Sequence, residues 1–190
     1  HKFFIVPLGF DEINQSVESG DVDFALVNPS IYVELEMKYD VSRLITLKSQ
    51  VSGKELIRFG GVIFTSSTNT TINTLEDIKN KSFVAVDAES FGGWQTEWKE
   101  FLDHGIDPYK EFAKLDFAGT QEQTVYKVLS GEYDAGATRT GILEQLAQEG
   151  KIKLSDIKIL NQCTSCNFPF LHSTQIYPEG PIASLSHVDD

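Results

Sequence analysis

The chain has 190 residues, of which 41% are hydrophobic and 23% charged, enough for one large domain or two small lobes. Its formal net charge of −12 argues against nucleic-acid binding, which needs a basic face. The sequence contains no apolar run of about 18 residues and no recognisable signal peptide, so it predicts no membrane span. The start inside a strand-like run and the polar C-terminal tail indicate an excised segment of a longer protein.

Hydrophobic periodicity predicts alternating strands and helices along the chain. In the first third we predict a strand at 3–6, a helix at 10–18, a buried central parallel strand at 23–27, a helix at 30–38 capped by Ser30, and strands at 43–49 and 60–65. A linker-like stretch at 65–73 is followed by a helix from Thr74, a strand at 82–86, a helix at 94–103, a strand at 114–117, a helix at 121–129 capped by Thr120, a strand at 134–138, a helix at 140–149, and strands at 157–160 and 172–177. This alternation predicts an α/β fold with two mostly parallel sheets flanked by helices.

One sequence pattern occurs twice, at Val17–Ala25 and again at Val128–Ala137. Each copy indicates a helix that ends at Ser-Gly, an acidic step, an Asp and then a strand. Glycine suits a helix C-terminus because it enters the left-handed region without steric cost. Together with the Ser/Thr-rich stretch near residue 68, the repeat predicts two lobes, 1–66 plus 168–190 and 67–167, with a ligand cleft between them.

Four loops lie where α/β proteins hold ligands, beyond the carboxyl ends of strands and at helix N-termini. They contain the candidate ligand-binding residues Asn28, Ser30 and Tyr32; Ser90, Phe91, Gly92, Gly93 and Trp94; Thr120 and Gln121; and Arg139 and Thr140. Glycines let the backbone approach a ligand, and the first amides of a helix favour an anion. Each loop also has a purely structural interpretation, as a strand stop, a tight turn or a helix cap.

Arg139 is the candidate that structure alone explains least, because it follows a buried strand and precedes a helix. Its guanidinium can donate paired hydrogen bonds to a carboxylate, a phosphonate or a sulfur oxyanion. The alternative is a salt bridge with Glu144 or with a neighbouring lobe.

Cys163 and Cys166 form a Cys-Thr-Ser-Cys pair, which is too few ligands for zinc by itself. A structural disulfide or two free thiols are the plainer interpretations, and ligand contact or redox sensing are the alternatives. The sequence therefore predicts no metal site, and it predicts no cofactor. It contains neither a G-x-S-x-G elbow nor an H-E-x-x-H motif, so we favour a binding domain over an enzyme.

The ordered set of motifs resembles the phosphonate-binding-protein-like periplasmic domains. The segments that carry this resemblance are 20–36, 59–65, 74–78 and 90–95, while 139–144 and 169–179 resemble a subset that forms the extracytoplasmic sensor domain of bacterial histidine kinases, including tetrathionate-sensor-like kinases. The resemblance implies a bilobal type II periplasmic-binding-protein fold with a hinged cleft, and it adds Gly60 and Gly61 to the candidate contacts. The chain departs from the group at Gly180, where Trp is often found, so no stacking role is expected there.

From this resemblance we expect the ligand-sensing domain of a two-component sensor histidine kinase. It would lie in the periplasm as part of an inner-membrane protein and bind a small anionic solute. The alternative is the solute-binding component of an ABC importer for phosphonate-like or other oxyanions. The expected partner is a small oxyanion and not a nucleic acid, and the sequence leaves a homodimer open.

Overall fold

A computed structural model describes residues 2–188 and divides the chain into two compact units. Unit 1 combines the chain up to Leu47 with the chain from Glu179 onward, and unit 2 runs from Lys48 to Pro178. The sequence placed the boundaries at 66/67 and 167/168 instead. The difference has a clear cause, because the strand Gly61–Ser66 pairs along its length with two other strands of unit 2. Positions 1, 189 and 190 of the predicted first lobe lie outside the described residues.

Helices and strands alternate along both units. The helices are α1 (Phe10–Glu18), α2 (Pro29–Tyr39), α3 (Thr96–Asp103), α4 (Pro108–Glu111), α5 (Gln121–Leu129) and α6 (Ile142–Gln148). The strands are β1 (Phe24–Leu26), β2 (Ser42–Thr46), β3 (Ser49–Val51), β4 (Lys54–Leu56), β5 (Arg58–Phe59), β6 (Gly61–Ser66), β7 (Ser82–Ala85), β8 (Lys114–Phe117), β9 (Ala135–Arg139), β10 (Ile157–Leu160), β11 (Tyr177–Pro178) and β12 (Pro181–Ser184). Among the described residues, no helix combines the length and the apolar character that a membrane crossing needs.

The sheet of unit 1 is antiparallel, with β12 between β1 and β2. The predicted central parallel strand at 23–27 is therefore wrong in its role, since β1 is an edge strand and Leu26 is 58% exposed. The predicted strand at 3–6 is also wrong, because this segment has no regular secondary structure and Ile5 is 95% exposed. An apolar run of this length forms a strand only where a neighbouring strand completes its backbone hydrogen bonds.

The main sheet of unit 2 has five strands in the order β10-β6-β9-β7-β8. Strand β7 is parallel to β8 and β9, whereas β6 is antiparallel to β9 and β10. The α/β class is thus confirmed, but the sheet is mixed rather than mostly parallel. Alternate side chains fill two cores: Ile63 and Phe83 pack with Phe101 of α3, while Phe64 and Val84 pack with residues of α5 and α6. A sheet buried on both faces explains its long apolar runs.

The stretch at 65–73 is an ordered turn inside unit 2, not a linker between lobes. Asn69 Oδ1 accepts hydrogen bonds from the amides of Thr71 at 3.0 Å and Ile72 at 3.2 Å. Ile72 is itself fully buried in the core. The polar composition therefore reflects side chains that hydrogen-bond the local backbone, which is a property of turns as much as of linkers.

The repeated turn is confirmed in both copies. Gly20 and Gly131 follow α1 and α5 with φ values of 70° and 79°, in the left-handed region that glycine tolerates best. The two Asp residues that follow make different contacts. Asp134 accepts hydrogen bonds from the amide of Ser82 at 2.9 Å and from its hydroxyl at 2.7 Å, whereas Asp23 lies 3.2 Å from a histidine ring nitrogen. The turn is shared, but the strands after it belong to different sheets.

Candidate functional site

Arg139 ends strand β9 with its side chain stacked on an aromatic ring. The guanidinium carbon lies 4.0 Å from the centre of the Phe59 ring, a cation–π contact that orients the guanidinium plane. The Arg139 amide donates a hydrogen bond of 2.9 Å to Gln121 Oε1, which also accepts the Thr138 hydroxyl at 2.5 Å. Because Gln121 opens α5, these bonds place the end of β9 beside the N-terminus of that helix.

Thr140 joins the end of β9 to the start of β6. Its amide donates to the Gly60 carbonyl at 3.0 Å, and its hydroxyl accepts the Gly60 amide at 3.2 Å. Thr140 is buried, so its hydroxyl serves this backbone contact. Helix α6 begins after Gly141, whose φ is 88°, rather than at Thr140 as the sequence predicted.

The predicted glycine loop forms a π-helical turn over Phe91–Gln95. The Phe91 ring lies 5.7 Å from the Phe59 ring and 5.2 Å from the Tyr177 ring. A side chain at Gly92 would place its Cβ 2.7 Å from the Phe59 ring, and one at Gly93 would place it 2.5 Å from Val86 Cγ2. Close packing alone therefore explains why both positions are glycine. Single π-helical turns are nonetheless frequent at functional sites.

These elements bring six residues together, which we call the Arg139 cluster: Phe59, Gly60, Phe91, Gln121, Arg139 and Thr140. Two of its aromatic contacts, Phe59 and the neighbouring Tyr177, were absent from the sequence-based candidates. An aromatic residue directly before the Gly60-Gly61 pair is the signal that could have identified Phe59. The cluster combines a cation, a helix N-terminus and an aromatic wall within one unit.

Three predicted contacts of unit 2 have other roles in the structure. Trp94 is fully buried among aromatic rings and donates from Nε1 to the Tyr109 hydroxyl at 3.2 Å. Thr120 caps α5 by accepting the Gln123 amide at 3.2 Å. Ser90 is 7% exposed and precedes the π-helical turn. Their ligand contacts stay predictions, and for Trp94 and Thr120 packing and capping are sufficient explanations.

The unit 1 candidates lie at the start of α2. Asn28, rather than the predicted Ser30, caps this helix: its Oδ1 accepts the Ile31 amide at 3.0 Å and the Ser30 hydroxyl at 2.9 Å. The Tyr32 hydroxyl donates to Glu36 at 2.5 Å, and this hydrogen bond raises the pKa of Tyr32. The contact of these residues with a ligand stays a prediction.

In unit 2, the Glu144 carboxyl is partly buried and the Glu97 carboxyl is fully buried. Glu144, the alternative partner that the sequence offered to Arg139, accepts the Leu171 amide at 2.7 Å, while its Oε2 is buried without a hydrogen-bond partner. Burial raises the pKa of Glu144. Glu97 is fully buried and occupies the space where Gly61 has no side chain. Burial raises the pKa of the Glu97 carboxyl well above its usual value, and its Oε1 has no hydrogen-bond partner.

We expect Glu97→Gln to stabilise the protein increasingly as the pH rises. A carboxyl whose pKa is raised by folding binds its proton more tightly in the native state, so wild-type stability falls as the pH rises above the unfolded pKa of about 4.3. Each unit of that shift corresponds to about 1.4 kcal/mol. Melting temperatures of both proteins at acidic and alkaline pH test this, with the exposed Glu76→Gln as control. A melting-temperature difference for Glu97→Gln that does not change with pH would contradict it.

The α/β fold, with a mixed sheet that carries the Arg139 cluster at the end of its central strand β9, resembles that of type II periplasmic binding proteins. A family model described as "ABC transporter, phosphonate, periplasmic substrate-binding protein" matches residues 4–190. The chain therefore belongs to this family of periplasmic substrate-binding domains.

A sensor kinase is similar to nearly the whole chain. The chain is 31% identical over 190 residues to the tetrathionate sensor histidine kinase TtrS of Salmonella typhimurium, a match that covers 99% of this chain and 32% of the kinase. The chain thus spans about a third of that relative's length.

Solved structures confirm the fold. PhnD1 from Prochlorococcus marinus, in complex with methylphosphonate, superposes with a TM-score of 0.71 at 18% identity, covering 96% of this chain and 64% of PhnD1. A binding-protein component of an ABC phosphonate transporter from Pseudomonas aeruginosa gives a TM-score of 0.70 at 17% identity, covering 95% and 56% of the two chains.

Proposed function

We propose that this chain is the extracytoplasmic sensor domain of a two-component histidine kinase, and that it binds a small oxyanion. The observation that carries the proposal is the match to a sensor histidine kinase over 99% of this chain at 31% identity. In this proposal the parent protein is anchored in the inner membrane and carries its kinase catalytic part outside this chain. The domain itself binds and does not catalyse. A homodimer stays a prediction.

The Arg139 cluster supports an anionic ligand. A guanidinium presents its N–H donors in a rigid plane that matches two oxygens of a carboxylate, phosphonate or sulfur oxyanion. The N-terminus of α5 adds partial positive charge beside it. The net charge of −12 does not oppose this. At physiological salt, charges more than about 8 Å away are largely screened, so the nearby donors outweigh distant carboxylates.

Among oxyanions, two chemistries deserve the first tests. The kinase relative is named as a tetrathionate sensor, and the PhnD1 structure holds methylphosphonate. Both compounds end in an oxygen-bearing anionic group that an arginine can bind through paired hydrogen bonds. We propose that the ligand of this chain shares that group.

An importer component is the second candidate. The family description and the Pseudomonas aeruginosa structure support it, because both are named as components of an ABC phosphonate transporter. The two functions use the same fold and differ in the parent protein. A sensor requires a membrane segment and a kinase in the same polypeptide, whereas an importer component acts with a separate permease.

Two experiments test the proposal. The coding sequence on both sides of this segment should encode a membrane segment and a kinase; a stop codon directly after the segment would favour the importer component. In membrane vesicles that contain the full-length protein, the binding anion should change the rate of autophosphorylation from ATP. An unchanged rate at an anion concentration that saturates binding would contradict the sensor.

A further inference from the structure

The loop between β10 and β11 brings together two sulfurs and one imidazole. Cys163 and Cys166 are joined in a disulfide with their Cα atoms 5.7 Å apart. The buried side chain of His172 lies against this pair, and one ligand atom from each of the three residues lies within 4.8 Å of the other two. The Cys163 amide donates to the His172 carbonyl at 3.1 Å, which holds the two parts of the loop together.

The surroundings of His172 favour one tautomer of its ring. Nδ1 lies 3.1 Å from the Phe170 carbonyl oxygen. Because a carbonyl oxygen only accepts hydrogen bonds, Nδ1 carries the proton and the lone pair of the neutral ring is on Nε2. Metal-binding histidines are oriented in the same way, with the second ring nitrogen donating to a carbonyl or carboxylate. The Phe168 ring, 5.4 Å from the imidazole, further restricts its orientation.

The disulfide closes a short loop, so its stabilisation lies at the low end of the usual range. Its cysteines are three positions apart, and closing a loop of about four residues removes roughly 2 kcal/mol of unfolded-chain entropy, less than the about 3 kcal/mol of a 15-residue loop. Cys166 is exposed, so a thiol reductant can reach the bond. Opening it would leave two thiols beside the imidazole.

We propose that Cys163, Cys166 and His172 form a redox-gated site for one thiolate-binding cation of the Zn²⁺ type. Two thiolates and an imidazole are ligands that such cations prefer, and the fourth position would remain open to water or another ligand. With Zn–S bonds of about 2.3 Å and Zn–N bonds of about 2.0 Å, tetrahedral ligands lie roughly 3.5–3.8 Å apart. Once the disulfide is reduced, the two sulfurs must separate to reach that spacing, while the imidazole nitrogen, within 4.8 Å of both, needs only a small inward movement.

The two states exclude each other chemically. A dithiol reduces the Cys163–Cys166 bond by two electrons, giving two protein thiols and the cyclic disulfide of the reductant. Binding of Zn²⁺ then forms two Zn–S bonds and releases the two thiol protons. A low-molecular-weight disulfide, by exchange with the two thiolates, restores the Cys163–Cys166 bond, takes up two protons to become two thiols, and so releases Zn²⁺.

The test uses the 190-residue chain in three forms: oxidised, reduced with a dithiol that is then removed, and reduced with both cysteines replaced by serine. Thiol titration should give no thiols in the first form and two in the second. Co²⁺ should then produce thiolate charge-transfer absorption at one equivalent in the reduced protein alone, and Zn²⁺ should displace it. Absence of this absorption from reduced protein with two titrated thiols would overturn the site.

The role of His172 needs a separate readout. We expect His172→Ala to weaken Zn²⁺ binding at least tenfold in chelator competition, while the exposed His104→Ala leaves it unchanged. Because His172 is buried and its loss could unfold the loop, reduced wild-type protein labelled with ¹⁵N-histidine should also be examined with ¹¹³Cd²⁺. A scalar coupling between ¹¹³Cd and one histidine ring nitrogen is expected. Cadmium bound without that coupling would remove His172 from the site.

Discussion

Arg139→Ala should weaken binding of the recognised oxyanion at least tenfold, because it removes a charge-assisted pair of hydrogen bonds worth at least about 1.4 kcal/mol. Calorimetry with methylphosphonate, tetrathionate and sulfate measures the effect. The affinity of Arg139→Lys should lie between those of wild type and Arg139→Ala. Lysine keeps the charge, but it neither stacks on Phe59 nor donates two parallel hydrogen bonds.

The matched control is Arg58→Ala, which removes the same charge from an exposed position of the same unit. Its affinity should stay within about twofold of wild type, because an exposed charge contributes little at physiological salt. Equal affinities of wild type and Arg139→Ala would show that Arg139 does not anchor the ligand. If no anion of the panel binds, the oxyanion proposal itself fails.

Gly180→Ala should destabilise unit 1 by about 3 kcal/mol, the upper end of the usual cost of overpacking. A Cβ at this position would overlap the Val27 carbonyl oxygen and lie 3.1 Å from its carbon and 3.4 Å from the Asn28 Cα. These are backbone atoms, so no side-chain rotation relieves the overlap. Even a methyl group does not fit here without a shift of the backbone.

The position of the tryptophans allows this effect to be assigned to one unit. Both Trp94 and Trp98 belong to unit 2, so their fluorescence reports on unit 2 while far-ultraviolet circular dichroism reports on both. In urea, Gly180→Ala should lower the midpoint seen by dichroism more than the midpoint seen by fluorescence. Gly9→Ala, whose new methyl meets only the exposed side chains of Asp11 and Glu12, should cost less than about 1 kcal/mol. Identical urea midpoints for Gly180→Ala and wild type would refute the prediction.

Elements with local signals were predictable from sequence. The helix at 10–18, the strands at 114–117 and 157–160, and the helix after Thr120 have the predicted bounds. Each of these elements is marked by a local sequence feature: apolar spacing, a capping hydroxyl or a terminating glycine. The α/β class follows from the same local pattern.

The pairing of strands and the burial of individual side chains were not predictable from such local patterns. The sequence cannot show that β6 is antiparallel to both of its neighbours, because strand direction depends on partners 70 to 100 positions away. Nor can it show that Trp94 turns into the core while Phe59 meets Arg139. Only the loop geometry shows that His172 lies beside the cysteine pair.

The position of β12 has a consequence for the order of synthesis. This strand, Pro181–Ser184, is the centre of the unit 1 sheet, and both β1 and β2 pair with it. The ribosome synthesises β12 after all of unit 2. Unit 2 can therefore fold while the first 47 residues still lack the strand with which β1 and β2 pair. Closing so long a loop makes unit 1 the later unit to form. A chain cut after Pro178 would keep a complete unit 2 and lose the strand on which the other sheet is assembled.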